Sequence, residues 1–156
     1  MPDLSHFGTV ATIMASNTLP EPVAITNFAD DGDGMDLPEM TIGESAMGTN
    51  GDKASWSKSA PVLLTLNLMP NTPSHLAMNI IFEANRAEKG KLPARDVITL
   101  VRIAPDGSTL TLTGGNIEKG TPALSMASTG RVKSPSYTMS FAKMLYTPSP
   151  DSVLNI

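Results

Sequence analysis

The chain has no cysteine among its 156 residues. A disulfide framework, a thiolate metal site and a thiol nucleophile are therefore excluded. Aromatics are scarce, at 4%, and Trp56 is the single tryptophan. No apolar run approaches the ~20 residues that a membrane-spanning helix needs. The N-terminus lacks the basic and apolar regions of a signal peptide, so a reducing compartment is expected. The first 52 residues contain neither Lys nor Arg, yet they hold nine carboxylates. All eleven basic residues lie in the remaining 104, against six acids, so the two parts carry −9 and +5 and the whole −4. A compact domain split in this way has opposed fields and can attract another copy of itself in a defined orientation. A solvated acidic face beside a solvated basic one is the plainer alternative. A pI near 5.0 argues against a general nucleic-acid binder, which needs cations to neutralise phosphates.

A hydrophobic content of 40% and a mean hydropathy of −0.03 describe a globular chain, and its length suits one domain, 1–156. Thirteen Pro and twelve Gly punctuate it, so few elements can be long. Ten Met partly replace the missing aromatics as core and interface filler. Short apolar segments between turn residues predict a mainly β body. Strands are expected at 7–15, 23–28 (entered or edged by Pro20 and Pro22), 40–43 and 61–68, where Leu64, Leu66 and Leu68 alternate with polar residues. Further strands are expected at 97–103 and 109–113 around a Pro105-Asp106-Gly107 turn, and at Tyr137, Met139 and Phe141. One helix interrupts them. Thr72 caps it, Pro73 suits its first turn, and Leu76, Ala77, Ile80, Ile81 and Ala84 form an apolar stripe. Arg86 and Lys89 fall in its last turns and Gly90 ends it. Four strands, a helix and three or four strands suit a β-sandwich or open barrel with one flanking helix.

Catalytic signatures are missing. His6 and His75 have no companions at metal-ligand spacing, and Gly114-Gly115 reads as a pair in a turn. Asp30, Asp31, Asp33 and Asp36 resemble a cation loop, but no Glu closes it in the EF-hand manner, so an exposed acidic turn is expected. Carboxylates between Asp30 and Glu44 could serve acid–base chemistry only with partners that the sequence does not reveal. The segment 43–60 is polar and glycine-rich, and at this length a connector usually has a function. Trp56 inside it is either an interface anchor or an inward-facing residue of the next strand.

The string Ile25-Thr26-Asn27-Phe28-Ala29-Asp30-Asp31 precedes an acidic segment. Gly43, Gly48 and Asn50-Gly51 follow, then the alternating Leu strand and Asn71-Thr72-Pro73-Ser74 at the helix start. This order of elements, over about residues 7–146, resembles the inner tail-tube proteins of contractile-tailed bacteriophages. The resemblance implies a virion structural protein and no enzyme or cofactor. It implies six-membered rings, stacked around a central β-barrel lumen that holds the tape-measure protein and then passes DNA without specific binding. A sheath and a baseplate would be further partners, and the location would be the virion tail, with assembly in the host cytoplasm. Mapped here, 43–60 would be the inter-ring loop, with Met47, Asn50, Lys53, Trp56 and Lys58 as contacts, and 148–156 a C-terminal tail. Arg86, Lys89, Lys91 and Arg95 would lie outside or between subunits, leaving a lumen of negative bias. A terminator, connector or secretion-tube protein is the nearest alternative. A carbohydrate-binding β-sandwich is a more distant one, because few aromatics remain to form a sugar platform.

Overall fold

A computed structural model describes residues 8–30, 33–126 and 128–148. Asp31, His6 and residues 149–156 of the expected C-terminal tail lie outside them. The strands are β1 (Val10–Ala15), β2 (Leu19–Ile25), β3 (Met35–Asp36), β4 (Gly43–Met47), β5 (Lys53–Ser57) and β6 (Val62–Asn67). Helix α1 (Pro73–Asn85) follows, and then β7 (Ile98–Ile103), β8 (Thr109–Gly120), β9 (Ser136–Phe141) and β10 (Lys143–Thr147). The mainly β architecture with one helix is therefore as the sequence implies, and no barrel closes among the described residues.

Strand β8 organises the body. Its first half lies between β7 and β10, and β1 and β2 extend that first sheet. Its second half pairs with β9, and β6 and β3 extend the second sheet. β9 and β10 run on as one return strand broken only at Ala142, whose N–H bonds the Thr113 carbonyl at 3.1 Å. The glycine pair expected in a turn sits instead in the middle of β8, at a register shift against β7. Gly114 has φ +66°, and a Cβ on Gly115 would stand 2.4 Å from two ring atoms of Phe141. A side chain is thus excluded where the strand bends from one sheet to the other.

The core follows the period-two pattern. Ile13, Leu64, Leu66, Leu100, Leu110, Leu112, Met139 and Phe141 are buried between the layers. Helix α1 is fixed at both ends. Its Thr72 cap accepts from the His75 N–H at 3.4 Å, and Ser74 Oγ accepts from the Thr26 and Asn27 N–H groups. At the far end Asn85 Nδ2 donates to Asp96 at 2.7 Å. Asp96 is 4% exposed, and it also accepts from the Asn17 and Thr18 N–H groups, at 2.7 and 2.9 Å, and from the Thr18 hydroxyl.

Four expectations need correction. Residues 40–43 form no strand of their own, and β4 begins at Gly43. Six strands rather than four precede the helix, because Met35–Asp36 pairs with β6 and 43–57 folds into the β4–β5 hairpin. The helix buries Ser74, Ala77, Met78 and Ile81, while Leu76 and Ile80 face outward at 61% and 42% exposure. The helix ends at Asn85, so Lys89 and Gly90 lie beyond it and no cation occupies its last turn.

Tyr137 is fully buried beside Phe82, with ring centroids 6.2 Å apart, and its hydroxyl has no hydrogen-bond partner among the described residues. Burial, with a smaller contribution from the Glu83 charge, pushes that phenol up to about 12, so it stays neutral in ordinary buffers. Removing an unsatisfied buried hydroxyl relieves a desolvation cost of about 1 kcal/mol. Tyr137→Phe is expected to melt at the same temperature as the parent or slightly above it. A clear drop in thermal denaturation would reveal a missing partner for the hydroxyl.

Candidate assembly surfaces

Every residue of β4 and β5 is exposed. The two strands form a hairpin of their own, paired from Gly43 opposite Ser57 to Met47 opposite Lys53. The turn is closed by the Gly48 N–H to the Asp52 carbonyl at 2.7 Å, and Asn50 Nδ2 reaches Asp52 at 2.9 Å. Gly51, with φ +88°, supplies a conformation that other residues adopt only with strain. The segment expected to be a loop is thus an arm. Trp56 lies opposite Glu44 and is 49% exposed, so it is not a core residue. Ile42 and Met47 are exposed too, at 71% and 67%. Lys58 pairs with Glu44 at 2.8 Å, Lys53 ends the ladder, and Asn50 shapes the tip. One arm therefore gathers all five expected contact residues: Met47, Asn50, Lys53, Trp56 and Lys58. An isolated two-stranded hairpin is marginal in water and gains most of its order from what it packs against.

A second surface was not legible beforehand. Among the described residues β10 is paired on one side only, by β8, and it exposes Met144 at 48%, Leu145 at 66% and Tyr146 at 50%. At the opposite border of that sheet, β2 carries Pro20 and Pro22, whose nitrogens cannot donate. One edge is thus short of donors, and the other is open and apolar. The sequence shows here only the run Met144-Leu145-Tyr146 shortly after Phe141, which does not alternate and so does not read as a strand edge.

The charged candidates divide. Asp30 is held by Arg131 in a two-pronged pair at 2.8 and 3.1 Å, and that hydrogen bond draws its carboxyl below the ordinary value. Asp33 is exposed, and its carbonyl accepts from Asn67 Nδ2 at 2.6 Å; Asp36 sits in β3 opposite Thr65. Among the described residues no group of three His, Asp or Glu side chains could hold a metal ion. At the helix end Arg86 meets Glu83 at 3.2 Å and Glu88 at 3.4 Å, and Lys91 lies 3.8 Å from Glu83. Lys89 and Arg95 are exposed and, among the described residues, form no ion pair. This cluster is therefore partly neutralised from within. The Asp30–Arg131 and Glu44–Lys58 pairs likewise join the acidic N-terminal part to the basic remainder. Such exposed pairs are screened by solvent and contribute little to stability.

The sequence matches the family described as tail fiber protein gp32 over residues 2–145. The chain belongs to that family. No curated protein matches it. Among solved structures, this gp32-family chain is similar to a chain of the anti-feeding prophage baseplate, 6-fold symmetrised, with 13% identity, coverage of 96% and 98% of the two chains and a TM-score of 0.55. It is similar to a chain of the anti-feeding prophage tube terminating cap, with 11% identity, coverage of 94% and 92% and a TM-score of 0.54. It is also similar to a chain of the extended sheath-tube complex of the PVC extracellular contractile injection system, with 10% identity, coverage of 93% and 91% and a TM-score of 0.55. At such identities the likeness shows a shared fold. The gp32-family chain is accordingly a tail protein by family, with a fold that is also found in contractile injection systems. No helix among its described residues is long and apolar enough to cross a membrane.

Proposed function

We propose that this gp32-family chain is a structural subunit of the inner tail tube, which polymerises as stacked hexameric rings. The observation that carries this reading is the β4–β5 arm, exposed along its whole length, with Met47 next to its tip and Trp56 near its base. Such an arm stabilises an assembly when it lies on a neighbouring ring. The open edge at β10 supplies a sideways contact, by addition of a strand from the next subunit. A sideways contact that closes gives a ring, and an axial contact that does not close gives a tube. In this reading the tube encloses the tape-measure protein, conducts DNA, and meets a sheath and a baseplate in the virion tail. Met47, Asn50, Lys53, Trp56 and Lys58 form the contact between rings. A second reading, as the cap that ends the tube, is favoured by an equally good structural likeness to a tube terminating cap.

Sedimentation of the purified chain over a concentration series, with electron micrographs of the fastest species, separates these readings. Tubes of open-ended length are expected. Single rings that never lengthen would favour the cap, and a monomer at every concentration would remove both.

A further inference from the structure

The tip of the β4–β5 arm reads Asn50-Gly51-Asp52, and Asn50 is the one asparagine of the chain that glycine follows. Every other asparagine precedes Thr, Phe, Leu, Ile or Arg, whose side chain crowds its own backbone nitrogen. Gly51 has no such screen. Among the described residues beyond its chain neighbours, nothing lies within 4 Å of where a Cβ would stand. All three tip residues are exposed. The Asn50 side chain folds back along residue 51. Its Oδ1 accepts from the Asp52 N–H at 3.3 Å, which polarises the amide carbonyl. Its Nδ2 donates to the Asp52 carboxylate at 2.9 Å. One bond restrains the Gly51 nitrogen, whose N–H donates to the Gly48 carbonyl at 3.0 Å. That bond belongs to a two-stranded hairpin apart from the main sheet, which opens readily while it packs on nothing.

We propose that Asn50 is a self-modifying site, whose amide closes onto the Gly51 nitrogen and is then hydrolysed while the arm is unpacked. The Gly51 nitrogen attacks the Asn50 side-chain carbon Cγ, and a new N–C bond forms. The Cγ–Nδ2 bond breaks, and Nδ2 leaves as ammonia with the proton that Gly51 gives up through water. The product is a five-membered imide, and water adds to one of its two carbonyls. Opening at Cγ gives aspartate at position 50. Opening at the main-chain carbonyl gives isoaspartate, in which the chain runs through the former side chain. On either route one water enters and one ammonia leaves, and nothing is oxidised or reduced. Each product sets a carboxylate beside Asp52 in place of a neutral amide, and the two charges repel. Isoaspartate also adds one carbon to the main chain of a turn closed by the Gly48 N–H to the Asp52 carbonyl at 2.7 Å, so that closure is lost. Only the consequence for assembly rests on the tube reading above. A subunit left free ages out of the pool, whereas an arm packed on a neighbouring ring keeps its turn shut and its Asn50 intact.

Peptide mapping by mass spectrometry, with an enzymatic assay for isoaspartate, tests this on the full chain kept in mildly alkaline buffer. Amide loss should concentrate at Asn50, with isoaspartate among the products. Gly51→Ala should slow that loss roughly tenfold, equivalent to about 1.4 kcal/mol of barrier, because a Cβ crowds the attacking nitrogen. Alanine is strained at φ +88°, so Asn50→Gln serves as a second variant. Its amide would have to close a larger ring and should persist. Loss spread evenly over the asparagines, or undiminished by Gly51→Ala, would overturn the site, as would an equally fast loss from Asn50→Gln. Aged samples are then compared for assembly with fresh samples of the same chain. The native chain should lose assembly in step with its Asn50 amide, while Asn50→Gln should show no further loss on ageing. Conversion in finished tubes as fast as in free subunits would overturn the protection by packing. If the fresh native chain forms no tubes, the tube reading fails, and the map of the free chain still decides the site.

Discussion

Replacing residues 43–57 with a short Gly-Ser linker is expected to leave a folded chain that no longer polymerises. The excision is structurally simple. The Lys58 N–H bonds the Ile42 carbonyl at 2.8 Å, so the two ends of the arm already lie side by side. The arm contributes no residue to the core and shares no sheet with the body. Stability should therefore change by no more than about 0.5 kcal/mol, the usual range for alterations away from the core. Assembly should be lost altogether, because every ring-to-ring contact in the proposed tube passes through this segment. Trp56→Ala should retain the arm and weaken assembly by about 2 kcal/mol or more per contact, as expected for a buried aromatic anchor. Thermal melting and sedimentation of the same samples separate the two effects. Normal tubes from the excised chain would refute the role given to the arm, whereas loss of the native melt would show that the arm supports the fold.

Asp96→Ala is expected to be the most damaging single change in the body, costing about 3 kcal/mol. Asp96 joins three elements that are far apart in sequence: the β1–β2 turn through Asn17 and Thr18, the helix end through Asn85, and the start of β7. Its own N–H donates to Asn85 Oδ1 at 2.9 Å, which locks the Asn85 amide in one orientation. Truncation strands two backbone N–H groups and two side-chain donors, and unsatisfied buried donors cost about 1–3 kcal/mol each, with much overlap. Asp96→Asn should cost less, about 1–2 kcal/mol, because one oxygen remains to accept. Burial acts to raise the Asp96 carboxyl, but the bonds from Thr18, Asn85 and the Asn17 and Thr18 backbone outweigh it and hold the group below its ordinary value. Below pH about 4 the unfolded chain then binds the extra proton first, so the native state loses stability as pH falls through that window. Chemical denaturation at pH 7 and at about pH 3 should show the Asp96→Asn chain losing less stability than the parent on acidification. An equal loss would mean that Asp96 titrates as it does in the unfolded chain.

Parts of this molecule could be read directly from the order of residues. The alternation of Leu64, Leu66 and Leu68 gave β6, and that of Tyr137, Met139 and Phe141 gave β9, because side chains two apart share a face of a strand whatever lies opposite. Thr72 and Pro73 marked the helix start because capping is settled within one turn. The layout of the chain also pointed to phage tail proteins, and the family match agrees.

What the sequence by itself determined is thus local: periodicity, caps, the zero count of cysteine, and a polar arm too long to be a plain connector. Tertiary structure decided which side of α1 is inside, burying Met78 and leaving Leu76 and Ile80 out, because the sheet approaches from one direction only. It turned the Gly114-Gly115 pair from a presumed turn into the corner of the sandwich, since Phe141 occupies the space beside Gly115. It gave Asp96 its partners from 78 and 79 residues away. Among the described residues it also left β10 with an open edge. The physical reason is the same in each case. A periodicity is carried by neighbours along the chain, whereas a partner, a clash or an unpaired edge depends on segments that meet only after the chain has folded.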